Sequence, residues 1–251
     1  MWYSSSDKVT EDLEKFIFDD LKRKSEGADS LRDAVEACLQ RGDSALSQSS
    51  FSTCIKLKWS VGEFQYAESL LLWHMATEIC CHGAEADEKK CKILSDYMFY
   101  LLIMQPTMLS PILGNWYIVF QDTCAEANRF FEKYSINTHS KALDKLASVK
   151  AKFRPAAVKG VKSKSVFFDS CILAQQLRRL REEERWGVMD RIWVEFMCYA
   201  AVNCRPIVHA QQPSRGGELL TFTWLLMNHL GLGIHFSEQE EQAGTKMVAV
   251  K

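Results

Sequence analysis

Residues 63–81 read Glu63-Phe64-Gln65-Tyr66-Ala67-Glu68-Ser69-Leu70-Leu71-Leu72-Trp73-His74-Met75-Ala76-Thr77-Glu78-Ile79-Cys80-Cys81, and this stretch decides the class of fold. Successive residues of a helix turn by about 100°, so Phe64, Leu70, Leu71, Trp73, Ile79 and Cys80 fall on more than one face. A helix that is apolar on several sides needs cover on several sides. The stretch therefore predicts a central, buried helix, closed by His82-Gly83.

Working outward, the neighbouring segments carry the same helical period. Val9, Leu13, Phe16, Ile17 and Leu21 recur at three- and four-residue spacing, with acids early and Lys22, Arg23 and Lys24 late, as the helix dipole favours. Ser30 and Asp33 form a shortened capping box before the stripe Leu31, Val35, Cys38, Leu39, and Gly42 suits the end of that helix. Downstream, Ser95 stands where a helix through Tyr97, Met98, Leu101, Leu102 and Met104 would be capped, and Pro106 stops it. Asp122–Tyr134 is amphipathic. Three further helices follow, marked by Val166 to Leu180, Trp186 to Ala200, and Glu218 to Leu230. One segment breaks the pattern. Ile55, Leu57, Trp59 and Val61 alternate with Lys56, Lys58 and Ser60, the period of a short strand or extended segment.

Composition excludes several classes. With 47% hydrophobic residues and 14 Phe, 7 Trp and 7 Tyr, the chain has too much apolar surface to remain unfolded. Its net charge of −1 rules out a uniform polycation. That near-neutrality is a sum: residues 141–164 hold eight basic residues and one acid. Nine cysteines, an odd number scattered through apolar runs, do not make a disulfide framework, and the N-terminus has no apolar signal region. Reduced thiols in the cytoplasm are the expectation. Residues 97–121 lack charge, but Pro106, Pro111 and Gly114 cut them into short pieces, so no transmembrane span is expected.

The last third carries a resemblance. It runs through Ile192-Trp193-Val194-Glu195, Tyr199-Ala200-Ala201, His209-Ala210-Gln211, Ser214-Arg215-Gly216-Gly217-Glu218-Leu219-Leu220-Thr221-Phe222, Trp224-Leu225-Leu226-Met227 and His229-Leu230-Gly231. These segments resemble the C-terminal module called domain of unknown function 594, found in plant proteins. Upstream, Leu72 to Glu78, Leu94 to Met98, Asp122 to Ala127 and Val158 to Asp169 resemble the linking part of proteins with domain of unknown function 4220. The resemblance spans roughly residues 7–236. It implies an upstream region rich in predicted membrane helices, which these 251 residues do not contain. It brings no established activity. Gln212-Pro213 departs from the family pattern, and Pro213 stiffens the backbone just before the glycine pair.

Six residues form a candidate polar cluster: His74, Glu78, Glu195, His209, Arg215 and Glu218. His74 and Glu78 share a helix face at i and i+4. Ser214 to Glu218 is a glycine turn into a helix, where backbone N–H groups and Arg215 can meet an anion; but Glu218 would repel a phosphate, and no Lys-Ser/Thr follows as a P-loop requires. Cys204 and His209 offer a nucleophile pair, with nothing in the spacing to orient it. Cys80-Cys81-His82 with Cys91 lacks the spacing of a zinc site, so no metal and no cofactor is expected. Lys150, Lys152, Arg154, Lys159, Lys162 and Lys164 form a basic run that can meet phosphates of nucleic acid or an anionic membrane surface, with Phe153 its single aromatic. A solvated connector is favoured for it.

Together these readings predict an all-α fold, an irregular bundle of about seven or eight helices with at most one short extended segment. The expected layout is a helical region 1–140, a basic connector 141–164, a helical module 165–236 and a disordered polar tail 237–251. With no catalytic motif in view, a non-catalytic interaction or regulatory module with a protein partner is favoured. The alternatives are a hydrolase- or transferase-like enzyme using His209 to Glu218, and anion binding through Lys141 to Lys164.

Overall fold

The computed structural model describes residues 9–83, 90–149, 164–215 and 218–233, the side chains of Leu31 and Arg215 excepted. Every regular element among them is helical, so the fold is all-α as the periodicity predicts. Fourteen α-helices appear among these residues where seven or eight were expected. The excess is short helices of four to seven residues, which carry too few turns to leave a periodic trace in the sequence. Two compact units emerge, and they do not follow chain order: one combines Met1–Gln40 with Val194–Lys251, the other is Arg41–Trp193.

Within Arg41–Trp193, α6 (Tyr66–Cys81) is the central helix. It packs most extensively on α11 (Phe167–Arg178) and α7 (Lys90–Met104), and also meets α5 (Trp59–Gly62), α9 (Trp116–Lys133) and α10 (His139–Ala147). Leu70, Leu72, Trp73 and Ala76 are fully buried, which accounts for an apolar pattern on every side. Gln65 and Glu68 close a capping box at its start, the Gln65 N–H donating to Glu68 Oε2 at 2.9 Å. Trp193 Nε1 donates to Thr77 Oγ1 at 3.0 Å, so the indole N–H that burial would otherwise strand is satisfied. Phe130, Phe131, Phe167 and Phe168 meet edge-on where α9 and α11 pack.

Three local expectations are corrected. The alternating segment is not a strand: α4 (Phe51–Leu57) and α5 occupy it. Ser50 caps α4 by accepting from the Thr53 N–H, and the hydroxyls of both residues donate to the Glu184 carboxylate. The buried positions are Thr53, Leu57, Ser60 and Val61, a helical spacing, while Ile55 is 60% exposed. Leu57 and Val61 lie on one face of an alternation and are also four apart, so both periods read them as a pair. Ser95 is likewise not a cap but lies inside α7, fully buried. Gly42 precedes α3 (Asp43–Ser47) at φ +105°, where a side chain would also strike Val61 Cγ1 at 2.7 Å. The uncharged stretch 97–121 is divided among α7, α8 (Pro106–Leu109), a 3₁₀ turn (Ser110–Ile112) and α9. No helix among the described residues is long and apolar enough to cross a membrane.

In the other unit, α1 (Glu11–Glu26) buries Leu13, Ile17 and Leu21 at four-residue spacing and packs on α2 (Leu31–Cys38) and α14 (Leu219–His229). Thr10 caps its start, and Ser25 Oγ donates to the Leu230 carbonyl at 2.8 Å. The 22-residue α12 (Glu182–Asn203) contributes its C-terminal turns here, with Phe196, Met197, Cys198, Ala200 and Ala201 fully buried. A short α13 (Pro206–Ala210) and a 3₁₀ turn over Pro213–Arg215 follow.

Candidate functional site

The six candidate residues separate into distinct groups. His74 and Glu78 project from α6 toward α7, one helical turn apart, and meet Lys92, Ser95 and Asp96 there. His74 Nδ1 lies 2.9 Å from Ser95 Oγ and 4.0 Å from Asp96 Oδ1, and its ring stacks on Phe99 at 4.1 Å. Burial pushes His74 down to about 4, against the upward pull of Asp96, so the imidazole is neutral at physiological pH. The Lys92 ammonium lies 2.7 Å from Glu78 Oε1 and also bonds the Asp96 carboxylate. Burial opposes that charge, but hydrogen bonds and attraction from Asp96 and Glu78 outweigh it and hold Lys92 above its ordinary value.

The cluster has the residue types of a hydrolase without the arrangement. A serine nucleophile needs the imidazole between itself and an acid, one on each ring nitrogen. Here Ser95 and Asp96 both approach Nδ1, and Ser95 is out of reach of any substrate. His74, Glu78 and Asp96 also offer three ligand atoms within 4.8 Å of one another. A divalent cation would have to compete there with the Lys92 ammonium, which is already paired with both carboxylates.

His209 and Glu218 come together in the other unit through Thr221. His209 is fully buried and stacks on Trp224 at 4.7 Å. Its Nε2 lies 3.0 Å from the Ala201 carbonyl, which only accepts, so Nε2 carries the proton. Nδ1, 3.0 Å from Thr221 Oγ1, is then the acceptor, consistent with burial lowering the His209 pKa. Glu218 caps α14 by accepting from the N–H groups of Leu220 and Thr221 at 3.0 and 2.9 Å. Its carboxylate also lies 3.2 Å from Thr221 Oγ1, so one hydroxyl proton serves two acceptors. Burial raises the Glu218 pKa, against those two N–H donors. The N-terminus that could have received an external anion thus holds the chain's own carboxylate.

Glu195 belongs to a third group. Its Oε1 lies 3.9 Å from Lys24 Nζ, which sits 3.1 Å from Asp20 Oδ2, and all three side chains are buried. Burial opposes the Lys24 charge, while Cys198, Asp20 and Glu195 favour it, and the balance is upward. Arg215 lies in the 3₁₀ turn, its side chain outside the described residues. Of the basic run, Lys150, Lys152, Arg154, Lys159 and Lys162 lie outside them too, as do Gly216, Gly217 and the tail from Ser237. Lys164 is exposed, and its N–H donates to Asp122 Oδ2 at 2.8 Å.

The cysteine groupings disperse. Cys204 is pushed up to about 11 by burial, and both ring nitrogens of His209 are engaged elsewhere. Cys80 Sγ faces the Ala174 carbonyl at 3.7 Å, Cys91 faces Cys81 and Asp190, and His82 Nε2 meets Asp144 Oδ1 at 2.9 Å. Residues that the sequence did not mark as site candidates are Asp20, Lys24, Lys92, Ser95, Asp96 and Thr221. Two of the pairs carried a signal, since Asp20/Lys24 and Lys92/Asp96 are i,i+4 ion pairs.

A family model described as "Protein of unknown function, DUF594" matches residues 178–232. The matched stretch takes in all of α12, α13 and α14, the segment in which the resemblance was read, and it supports a C-terminal module of this kind. No curated protein and no solved structure matches the chain.

Proposed function

We propose that the chain is a non-catalytic protein-interaction or regulatory module acting in the cytoplasm of a plant cell. The observation that carries this reading is His209, the histidine of the His209 to Glu218 segment on which the enzyme alternative rests. Both its nitrogens are bonded and its ring is buried against Trp224, so it has no free nitrogen to present to a substrate. Ser95, whose hydroxyl meets His74, is equally buried. Nine free cysteines, seven of them buried, agree with a reducing compartment. The linker resemblance to proteins with domain of unknown function 4220 supports the plant assignment. The change of composition over 141–164 supports a sequence layout of 1–140, 141–164, 165–236 and a tail 237–251.

Affinity purification of the tagged full chain from plant cells tests the proposal. The expected result is the same partner in independent replicates, retained by His209→Gln. Failure to recover any reproducible partner overturns it. Turnover of ester or phosphoester substrates that His209→Gln abolishes would favour the enzyme reading instead.

A further inference from the structure

The end of α9, α10 and the start of α11 enclose an open groove of about 520 Å³, within the range of small-molecule sites. Its lining combines three cations, Arg129, Lys133 and Lys145, with three aromatic rings, Phe130, Tyr134 and Phe168. Tyr134 lies against Phe130 at 4.9 Å, and Phe130 meets Phe168 edge-on at 5.6 Å, so the rings make a continuous wall. Lys145 Nζ stands 4.0 Å from the centre of the Tyr134 ring, and Lys133 Nζ 5.6 Å from the same ring. Both ammonium groups therefore gather at the Tyr134 end of the wall.

The bland account of Lys133 and Lys145 is that each complements the carbonyl end of its own helix. Their position over the Tyr134 ring argues for more, because both charges are drawn to one place. Among the described residues no carboxylate is paired with Arg129, Lys133 or Lys145. Glu126 also lines the groove and accepts from Ser165 Oγ at 2.6 Å; it keeps its charge, so three cations face one carboxylate. The groove therefore keeps a positive charge beside an aromatic surface.

We infer that this groove binds a phosphorylated small molecule with a flat ring, the chemistry of a nucleoside phosphate. The ring lies against the wall of Phe130 and Phe168, and the phosphate reaches the two lysines and Arg129. Both halves are needed: inorganic phosphate lacks the wall, and an uncharged nucleoside lacks the cations. A phosphoinositide headgroup supplies phosphate without a flat ring.

Calorimetric titration of the purified full chain with ADP, inorganic phosphate, adenosine and vesicles containing phosphatidylinositol 4-phosphate tests the inference. ADP is expected to bind saturably with a Kd below about 1 mM at low salt, and phosphate or adenosine at least roughly tenfold more weakly. Lys145→Gln and the exposed Arg129→Gln should each weaken ADP about fivefold or more with the circular dichroism unchanged, and Tyr134→Ala likewise. Absence of saturation by about 5 mM ADP, equal affinity for phosphate alone, or variants that bind like the parent would overturn the inference. Retention on the vesicles that ADP does not displace would overturn it as well.

Discussion

Replacing His74 with Gln should flatten the acid limb of the protein's stability curve. The imidazole is held neutral by burial, its pKa falling from 6.5 to about 4 in the folded state. Because the folded value lies below the unfolded one, the unfolded chain takes up the proton first as pH falls. The contribution of neutral His74 is thus intact above pH 6.5 and is lost between 6.5 and about 4. At about 1.4 kcal/mol per pH unit, the full loss is roughly 3 kcal/mol, of which about 2.5 kcal/mol has gone by pH 4.5. Glutamine keeps a hydrogen-bonding partner for Ser95 and has no proton to gain. The stability difference between parent and His74→Gln should therefore shrink by about 2–2.5 kcal/mol between pH 7.5 and 4.5, measured by urea unfolding at each pH. Lys92 stays charged across this window and Asp96 is present in both proteins, so their contributions largely cancel in the difference. A difference that stays constant within about 0.5 kcal/mol would refute a buried neutral His74.

Three further outcomes follow from the other buried groups. Lys24→Met strands Glu195 beside Asp20 and should cost about 3–5 kcal/mol in urea unfolding; adding Glu195→Gln should recover at least about 1 kcal/mol, and a single-variant loss below that would contradict a buried ion cluster. His209→Phe preserves a ring against Trp224 but removes both hydrogen bonds, for an expected loss of about 1–3 kcal/mol seen as a lowered midpoint. A thiol-specific chromogenic reagent should reach the two half-buried cysteines, Cys54 and Cys124, in the native protein and all nine after denaturation. Prompt native reaction at Cys38 or Cys80, whose thiols burial pushes up to about 11 and about 12, would contradict the core as described.

The helical class was legible because it rests on periodicity, and α6 shows how. Apolar side chains on every face of a sixteen-residue run have no stable environment except among other helices, whatever those helices are. Ser50–Gly62 shows the limit. Its alternation suits a strand, yet Ser50 supplies a cap, Glu184 accepts from two hydroxyls at the helix start, and Leu57 with Val61 finds a helical face to bury. Glu184 lies more than 130 residues away, and no local pattern could announce it.

The candidate residues follow the same division. His74 with Glu78, and Glu218 with the helix it starts, were readable as neighbours because helical spacing fixes which side chains meet within a turn. By itself the sequence determined the helical class, the burial of most of its thiols, and a C-terminal segment similar to a family model. Tertiary structure alone decided that Glu195 answers Lys24, that His209 spends both nitrogens on Thr221 and Ala201, and that three cations and three rings share one groove. The physical reason is range. Side-chain periodicity acts over a few residues, whereas the partner of a buried charge or donor is set by which distant helix packs against it.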